Sequence, residues 1–164
     1  MSSSNLNILF LCTGNSARSI IAEGILRKIG GDTFFSYSAG SQPAAQPNPY
    51  ALVVLRDHDI DISFARSKRW DEFANSDAPK MDLIITVCDN AAGETCPVWP
   101  GHPSMAHWGV PDPAIVQGSH EDILATFQRT YLEMEVRINM LLEAKPTAKT
   151  IGDLARSISP VAIR

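Results

Sequence analysis

Asn7-Ile8-Leu9-Phe10-Leu11 is an unbroken apolar run that stops at the turn-forming stretch Cys12-Thr13-Gly14-Asn15-Ser16, the pattern of a strand buried on both faces. From Ala17 the apolar spacing lengthens to Ile20, Ile21, Gly24, Ile25 and Ile29, which predicts a helix ending at Gly30-Gly31. Phe34 to Ala39 alternates and is rich in β-formers until Gly40 stops it, so it reads as a second strand. Pro49 suits the first turn of a short helix running to Leu55. Met81 to Val87 is the third strand and delivers Cys88 to its carboxyl end. The stretch from Asp89 to Pro113 is rich in proline and glycine and reads mostly as loop, with a short strand around Ala106 to Trp108. Leu124, Phe127, Tyr131, Met134, Ile138 and Leu141 predict a long amphipathic helix from Glu121 to Ala144, and Thr147 to Ser159 adds one more helix. Strands alternating with helices need crossover connections, so the fold class is α/β: a central, mostly parallel four-stranded sheet flanked by helices. Such sheets bind ligands beyond the carboxyl ends of their strands, where Cys12 and Cys88 both fall.

With 164 residues the chain reads as one catalytic domain over 1–164, residues 145–164 forming a tail. The composition, 45% hydrophobic and 20% charged, excludes a disordered or fibrous protein. A net charge of −4 argues against a broad basic surface for nucleic acid or anionic membrane, so any anion site must be local. The longest apolar run is too short to cross a bilayer, and Met1-Ser2-Ser3-Ser4-Asn5 lacks the features of a secretory signal; the expected location is the cytoplasm. Three scattered cysteines, Cys12, Cys88 and Cys96, make a poor disulfide framework and a better set of free or catalytic thiols.

The stretch Cys12-Thr13-Gly14-Asn15-Ser16-Ala17-Arg18-Ser19 places a thiol at a strand end and an arginine where a helix begins. A loop wrapping from strand to helix can turn its backbone N–H groups inward and form a nest for an oxyanion. Thr13 to Arg18 are the oxyanion-binding candidates, with Gly14 and Asn15 tolerating unusual backbone angles. Arg18 adds a planar fork that matches two oxygens of phosphate or arsenate. The same positive environment favours a nucleophilic thiolate at Cys12, and Ser19 is placed to donate a hydrogen bond to that sulfur. A buried structural cysteine beside a solvated arginine is the bland alternative, but it leaves the strand, turn, helix and adjacent serine without a role.

Asn7 to Glu23 resembles the oxyanion loop of the low-molecular-weight protein tyrosine phosphatase superfamily, whose motif is C-x5-R-S near the amino terminus. The resemblance implies that Cys12 attacks the anion, that Arg18 clamps it, and that an aspartate in a later Asp-Pro dipeptide acts as general acid. The matching dipeptide is Asp112-Pro113.

Val87 to Pro97, His107-Trp108-Gly109 and Asp112-Pro113-Ala114 resemble the thioredoxin-coupled arsenate reductases of this superfamily. Ala114 stands where tyrosine phosphatases usually carry an aromatic residue, which argues against a phosphotyrosine pocket. The resemblance implies a relay. Cys12 attacks arsenate while Asp112 protonates the departing oxygen; Cys88 then attacks Cys12 and expels arsenite, and Cys96 attacks Cys88. The final Cys88–Cys96 disulfide would pass to an external dithiol of the thioredoxin or glutaredoxin type, with no tightly bound cofactor and phosphate as a competing anion. Two other classes stay open: a low-molecular-weight phosphatase hydrolysing phosphate monoesters with Cys12, Arg18 and Asp112 alone, and a non-enzymatic oxyanion or redox sensor. A zinc site of Cys88, Cys96, His102 and His107 is disfavoured because the cysteines are too far apart in sequence for a zinc knuckle, so no metal is expected. Certain reductases bind potassium through residues resembling Asn15, Glu23 and Ser38 plus an acidic group where this chain carries Lys68. A lysine there repels the cation and substitutes a fixed charge, so no potassium requirement is expected. The resemblance covers residues 6–144.

Overall fold

The computed structural model describes residues 5–88 and 99–158. Four strands, β1 (Leu6–Cys12), β2 (Phe34–Gly40), β3 (Leu83–Thr86) and β4 (Ser104–His107), form one all-parallel sheet in the order β2-β1-β3-β4. The apolar run of β1 is explained by its position between two neighbours and two covered faces. Ile8, Phe10 and Cys12 join a cluster with residues from the helices, whereas Leu9 and Leu11 pack with Trp70, Phe73, Ile84 and Trp99. Alternate side chains thus go to opposite layers, and both layers are buried. The chain leaves β1 for β2 on one side and returns to place β3 on the other. This reversal opens a crevice at the carboxyl end of β1.

Four α-helices are described: α1 (Arg18–Ile29), α2 (Pro49–Asp57), α3 (His120–Glu143) and α4 (Ile151–Ser157). Pro49 occupies the first turn of α2, and the Asn48 carboxamide accepts from the Tyr50 amide at 2.9 Å. α3 starts on a reciprocal cap, Ser119 Oγ accepting from the Asp122 amide and the Asp122 carboxylate accepting from the Ser119 amide. None of the described helices is long and apolar enough to cross a membrane.

β3 is shorter than the predicted Met81–Val87, although its flanks still bond to β1. The Asn7 amide donates to the Asp82 carboxylate, and the Val87 amide donates to the Leu11 carbonyl. β4 begins two residues earlier than predicted, at Ser104, and ends at His107. Two 3₁₀ turns, Trp70–Phe73 and Pro113–Ile115, leave no mark on the periodicity, since each is too short to repeat a hydrophobic spacing.

The tail helix α4 lies on the edge strand. Trp108 Nε1 donates to the Ala155 carbonyl at 2.9 Å, and Arg156 Nη1 donates to the Met105 carbonyl at 2.9 Å. Gly152 allows this approach, since a Cβ there would stand 2.5 Å from the Ser104 side chain. Ile151 and Ala155 are fully buried in the main core. Truncating Ile151 to alanine is therefore expected to cost about 2–5 kcal/mol. The check is a lower denaturant midpoint at unchanged slope.

Candidate active site

The Cys12 loop is shaped from outside by residues 42–48. The Gln42 amide donates to the Thr13 carbonyl (3.0 Å), the Ala44 amide to the Gly14 carbonyl (2.9 Å) and the Asn48 amide to the Ser16 carbonyl (2.9 Å). Carbonyls held outward leave the amides of the same peptides facing the concave side. Ala17 caps α1 without any side-chain acceptor, so the first helical amides are also available to an anion. Asn15 takes the left-handed conformation (φ 45°), while Gly14 does not. The sequence expectation that both accommodate unusual angles therefore holds for Asn15 alone. Gly14 contributes open space instead: a Cβ added to it would find Ser16 Oγ as its nearest neighbour, at 3.8 Å.

Under the loop lies a buried polar platform. Asn15 Nδ2 donates to Ser19 Oγ and to Ser38 Oγ, both at 2.9 Å, and its Oδ1 accepts from the Lys68 amide at 2.9 Å. Ser38 Oγ donates to Glu23 Oε1 at 2.5 Å. Lys68 Nζ stands among these groups, 3.3 Å from Ser38 Oγ, 3.4 Å from Asn15 Oδ1 and 3.7 Å from Glu23 Oε1, and donates to the Arg66 carbonyl at 2.9 Å. Burial pushes the ammonium's pKa down, and Glu23 opposes that shift. The lysine thus sits at the centre of the polar platform beneath the oxyanion loop. Ser19, expected near the Cys12 sulfur, receives the Asn15 carboxamide; that bond leaves its hydroxyl proton for another acceptor.

The two strand-end thiols meet. Cys12 and Cys88 are both buried. The Thr13 amide approaches Cys88 Sγ at 3.4 Å, and Thr13 Oγ1 lies 3.7 Å from it. A hydrogen bond to the Cys88 side chain, followed by burial, raises the Cys12 pKa well above the ordinary thiol value, while Arg18 and the Gly14 amide pull it down. The positive cradle expected to favour a Cys12 thiolate is therefore opposed by the Cys88 side chain and by burial. Removing that acceptor in Cys88→Ala is expected to lower the Cys12 titration midpoint. Alkylation of Cys12 at neutral pH should then speed up by about tenfold or more; an unchanged or slower rate would show that the sulfur pair does not control this proton.

Arg18, the first residue of α1, donates through Nη1 to the Val110 carbonyl at 3.0 Å, and its Nη2 lies 3.7 Å from Asp112 Oδ2. Asp112 caps the Pro113–Ile115 turn, accepting from the Ala114 amide at 2.9 Å. Arg18 and Asp112, 94 positions apart in sequence, therefore share one rim of the site. Cys96 lies outside the described residues. His107 Nδ1 is 2.7 Å from Thr86 Oγ1, and no group of three His, Cys, Asp or Glu among the described residues is arranged to hold a metal ion.

Sequence reasoning does not identify two contributors. The 42–48 segment acts only through backbone amides, which carry no residue signature. The sequence predicts that Thr13 binds the anion through its amide, whereas its contact with Cys88 depends on β1 and β3 being neighbours.

A thiol at the end of the central strand, a loop of inward amides, an arginine at the helix start and an Asp-Pro turn opposite it define a phosphatase-type oxyanion site. The chain belongs to the low molecular weight phosphotyrosine protein phosphatase family, whose sequence pattern it matches over residues 7–151. Among its sequence relatives is the arsenate reductase of Bacillus licheniformis, 43% identical over 140 residues, which span 85% of this chain and 97% of that one. The fold also matches the Corynebacterium glutamicum thioredoxin-dependent arsenate reductase, with a TM-score of 0.63 and 26% identity; the match covers 88% of this chain and 63% of that longer one. The low molecular weight protein tyrosine phosphatase of T. tengcongensis superposes with a TM-score of 0.68 at 26% identity, over 85% of this chain and 99% of that one.

Proposed function

We propose that this protein reduces arsenate to arsenite by a thiol relay, with a dithiol protein of the thioredoxin class as electron donor. The observation that carries the reading is the placement of Cys88 against the Cys12 loop, its Sγ 3.4 Å from the amide of Thr13, the residue that follows Cys12. A phosphatase needs only the first of them.

The Cys12 thiol passes its proton to an oxygen of the bound arsenate, and the resulting thiolate attacks the arsenic held by the loop amides and Arg18. One oxygen departs as water with the proton supplied by Asp112, leaving a pentavalent S–As adduct. Cys88 then attacks the Cys12 sulfur. An S–S bond forms, the S–As bond breaks, and its electron pair leaves with arsenic, which departs as trivalent arsenite. Cys96 attacks Cys88 and releases Cys12 as a thiolate, and the Cys88–Cys96 disulfide is reduced by exchange with the external dithiol. Phosphate, with the same tetrahedral geometry, competes for the loop. Lys68 supplies the positive charge under the loop, so replacing sodium by potassium salts leaves the rate unchanged.

The Cys12, Arg18 and Asp112 set also supports hydrolysis of phosphate monoesters, a second reading favoured by the match to tyrosine phosphatases. Arsenate-dependent consumption of NADPH, coupled through thioredoxin and its reductase, separates the two. Consumption by the wild-type protein supports the relay. Hydrolysis of an aryl phosphate with no arsenate-dependent consumption under any dithiol donor overturns it.

A further inference from the structure

We infer that Arg137, on α3, is a positioning residue that tethers the acid-bearing segment 109–112 over the Cys12 loop; this rests on the reading of Asp112 as proton donor. Arg137 is only 2% exposed, the one charged residue among the buried side chains of α3. Burying a guanidinium is costly unless it is paired and hydrogen-bonded, and no carboxylate lies within ion-pairing distance of it among the described residues. Its Nη1 and Nη2 both donate to one acceptor, the Gly109 carbonyl, each at 3.3 Å, and Nε has no partner.

The location of that acceptor gives the contact its meaning. Gly109 precedes Val110, whose carbonyl accepts from Arg18, and Asp112 follows two residues later beside the same guanidinium. Trp108, on the other side, is pinned by the Thr86 carbonyl through its amide and by Ala155 through its indole. The segment from β4 to the Asp-Pro turn is therefore gripped at successive peptides. Arg18 must turn its fork to the anion when arsenate binds, and in doing so it loosens its hold on Val110 and Asp112. Arg137 keeps its hold, because it faces Gly109 from α3 and lies outside the anion's reach. It serves as the fixed point from which Asp112 is aimed while Arg18 is occupied.

The test uses Arg137→Met, which fills similar volume without the charge, and Arg137→Lys, which keeps one donor. Amide exchange in the peptide covering 109–114 should accelerate at least about tenfold in the methionine variant, while β1 and α1 keep wild-type protection. In arsenate turnover, Arg137→Met should lower kcat by about ten- to hundredfold with little change in KM, and Arg137→Lys should recover part of the loss. In an Asp112→Asn background the same substitution should have almost no further effect, because the group it aims is already absent. Independent, multiplying losses, or unchanged exchange at 109–114, overturn the inference. Should Arg137→Met fail to fold, Arg137→Lys carries the same cycle and exchange measurement. A wild-type protein inactive toward arsenate, or an Asp112→Asn variant with full activity, refutes the functional reading instead, and exchange at 109–114 still decides whether Arg137 is the tether.

Discussion

Cys88→Ser is expected to reduce arsenate turnover by at least about 10³-fold while leaving the first chemical step in place. A serine hydroxyl is too weak a nucleophile to attack the Cys12 sulfur, so the S–As bond formed at Cys12 has no internal route to arsenite. The variant retains Arg18, Asp112 and the loop, and a serine hydroxyl can still accept from the Thr13 amide that donates to the Cys88 sulfur. Arsenate should therefore still protect Cys12 from alkylation, although NADPH consumption stops. Cys96→Ser should behave differently, releasing close to one arsenite per protein in a single turnover and then halting with a Cys12–Cys88 disulfide. A Cys88→Ser protein that turns over within tenfold of wild type would eliminate the relay.

Gly40→Ala should damage the site as severely through packing alone. Gly40 ends β2 directly beside Cys12, and a Cβ at this position would stand 2.4 Å from the Thr13 carbonyl oxygen and 2.7 Å from that of Cys12. Both are backbone atoms, so no side-chain rotation relieves the overlap. The Gln42 amide also holds the Thr13 carbonyl from the outer side, and the Gly40 amide is fixed to the Lys68 carbonyl at 2.9 Å. Relief must come from moving the oxyanion loop itself. The expected cost is about 1–3 kcal/mol of stability. A loop displacement approaching an ångström should lower kcat/KM for arsenate by about 10²-fold. Gly14→Ala provides the stability control, because its Cβ would meet nothing closer than 3.8 Å. Unfolding midpoints and kcat/KM measured on the same preparations decide the matter; a fully active Gly40→Ala protein would show that the loop is not braced from β2.

Features carried by short-range pattern are legible in the sequence alone. The apolar run of β1, the change to helical spacing after Ala17 and the three-four spacing of α3 place Cys12 at a strand end and Arg18 at a helix start. The remainder depends on contacts between distant parts of the chain. That Gly40 must be glycine follows from its pairing with Cys12, which no local pattern encodes. Arg137 sits in α3 among residues that alternate between charged and apolar, so in sequence it resembles an ordinary solvent-facing arginine. Its burial appears only when α3 is laid against the segment after β4. The anchoring of α4 through Trp108 is likewise a meeting of residues 47 positions apart. The Cys12 thiol illustrates a different limit: the local motif indicates a positive cradle, but the neighbour that opposes it arrives from the end of β3.

The proximity of Cys12 and Cys88 has a consequence beyond arsenic chemistry. Sulfurs set side by side for one reaction are also set for the simplest one available to them, closure into a bridge by a peroxide that accepts the same electron pair. Each such event takes a molecule out of service until the dithiol donor reopens it. A cell under oxidative attack therefore spends reducing power to keep this protein ready even when the toxic anion is absent, and its capacity to resist the two stresses is drawn from a common reserve.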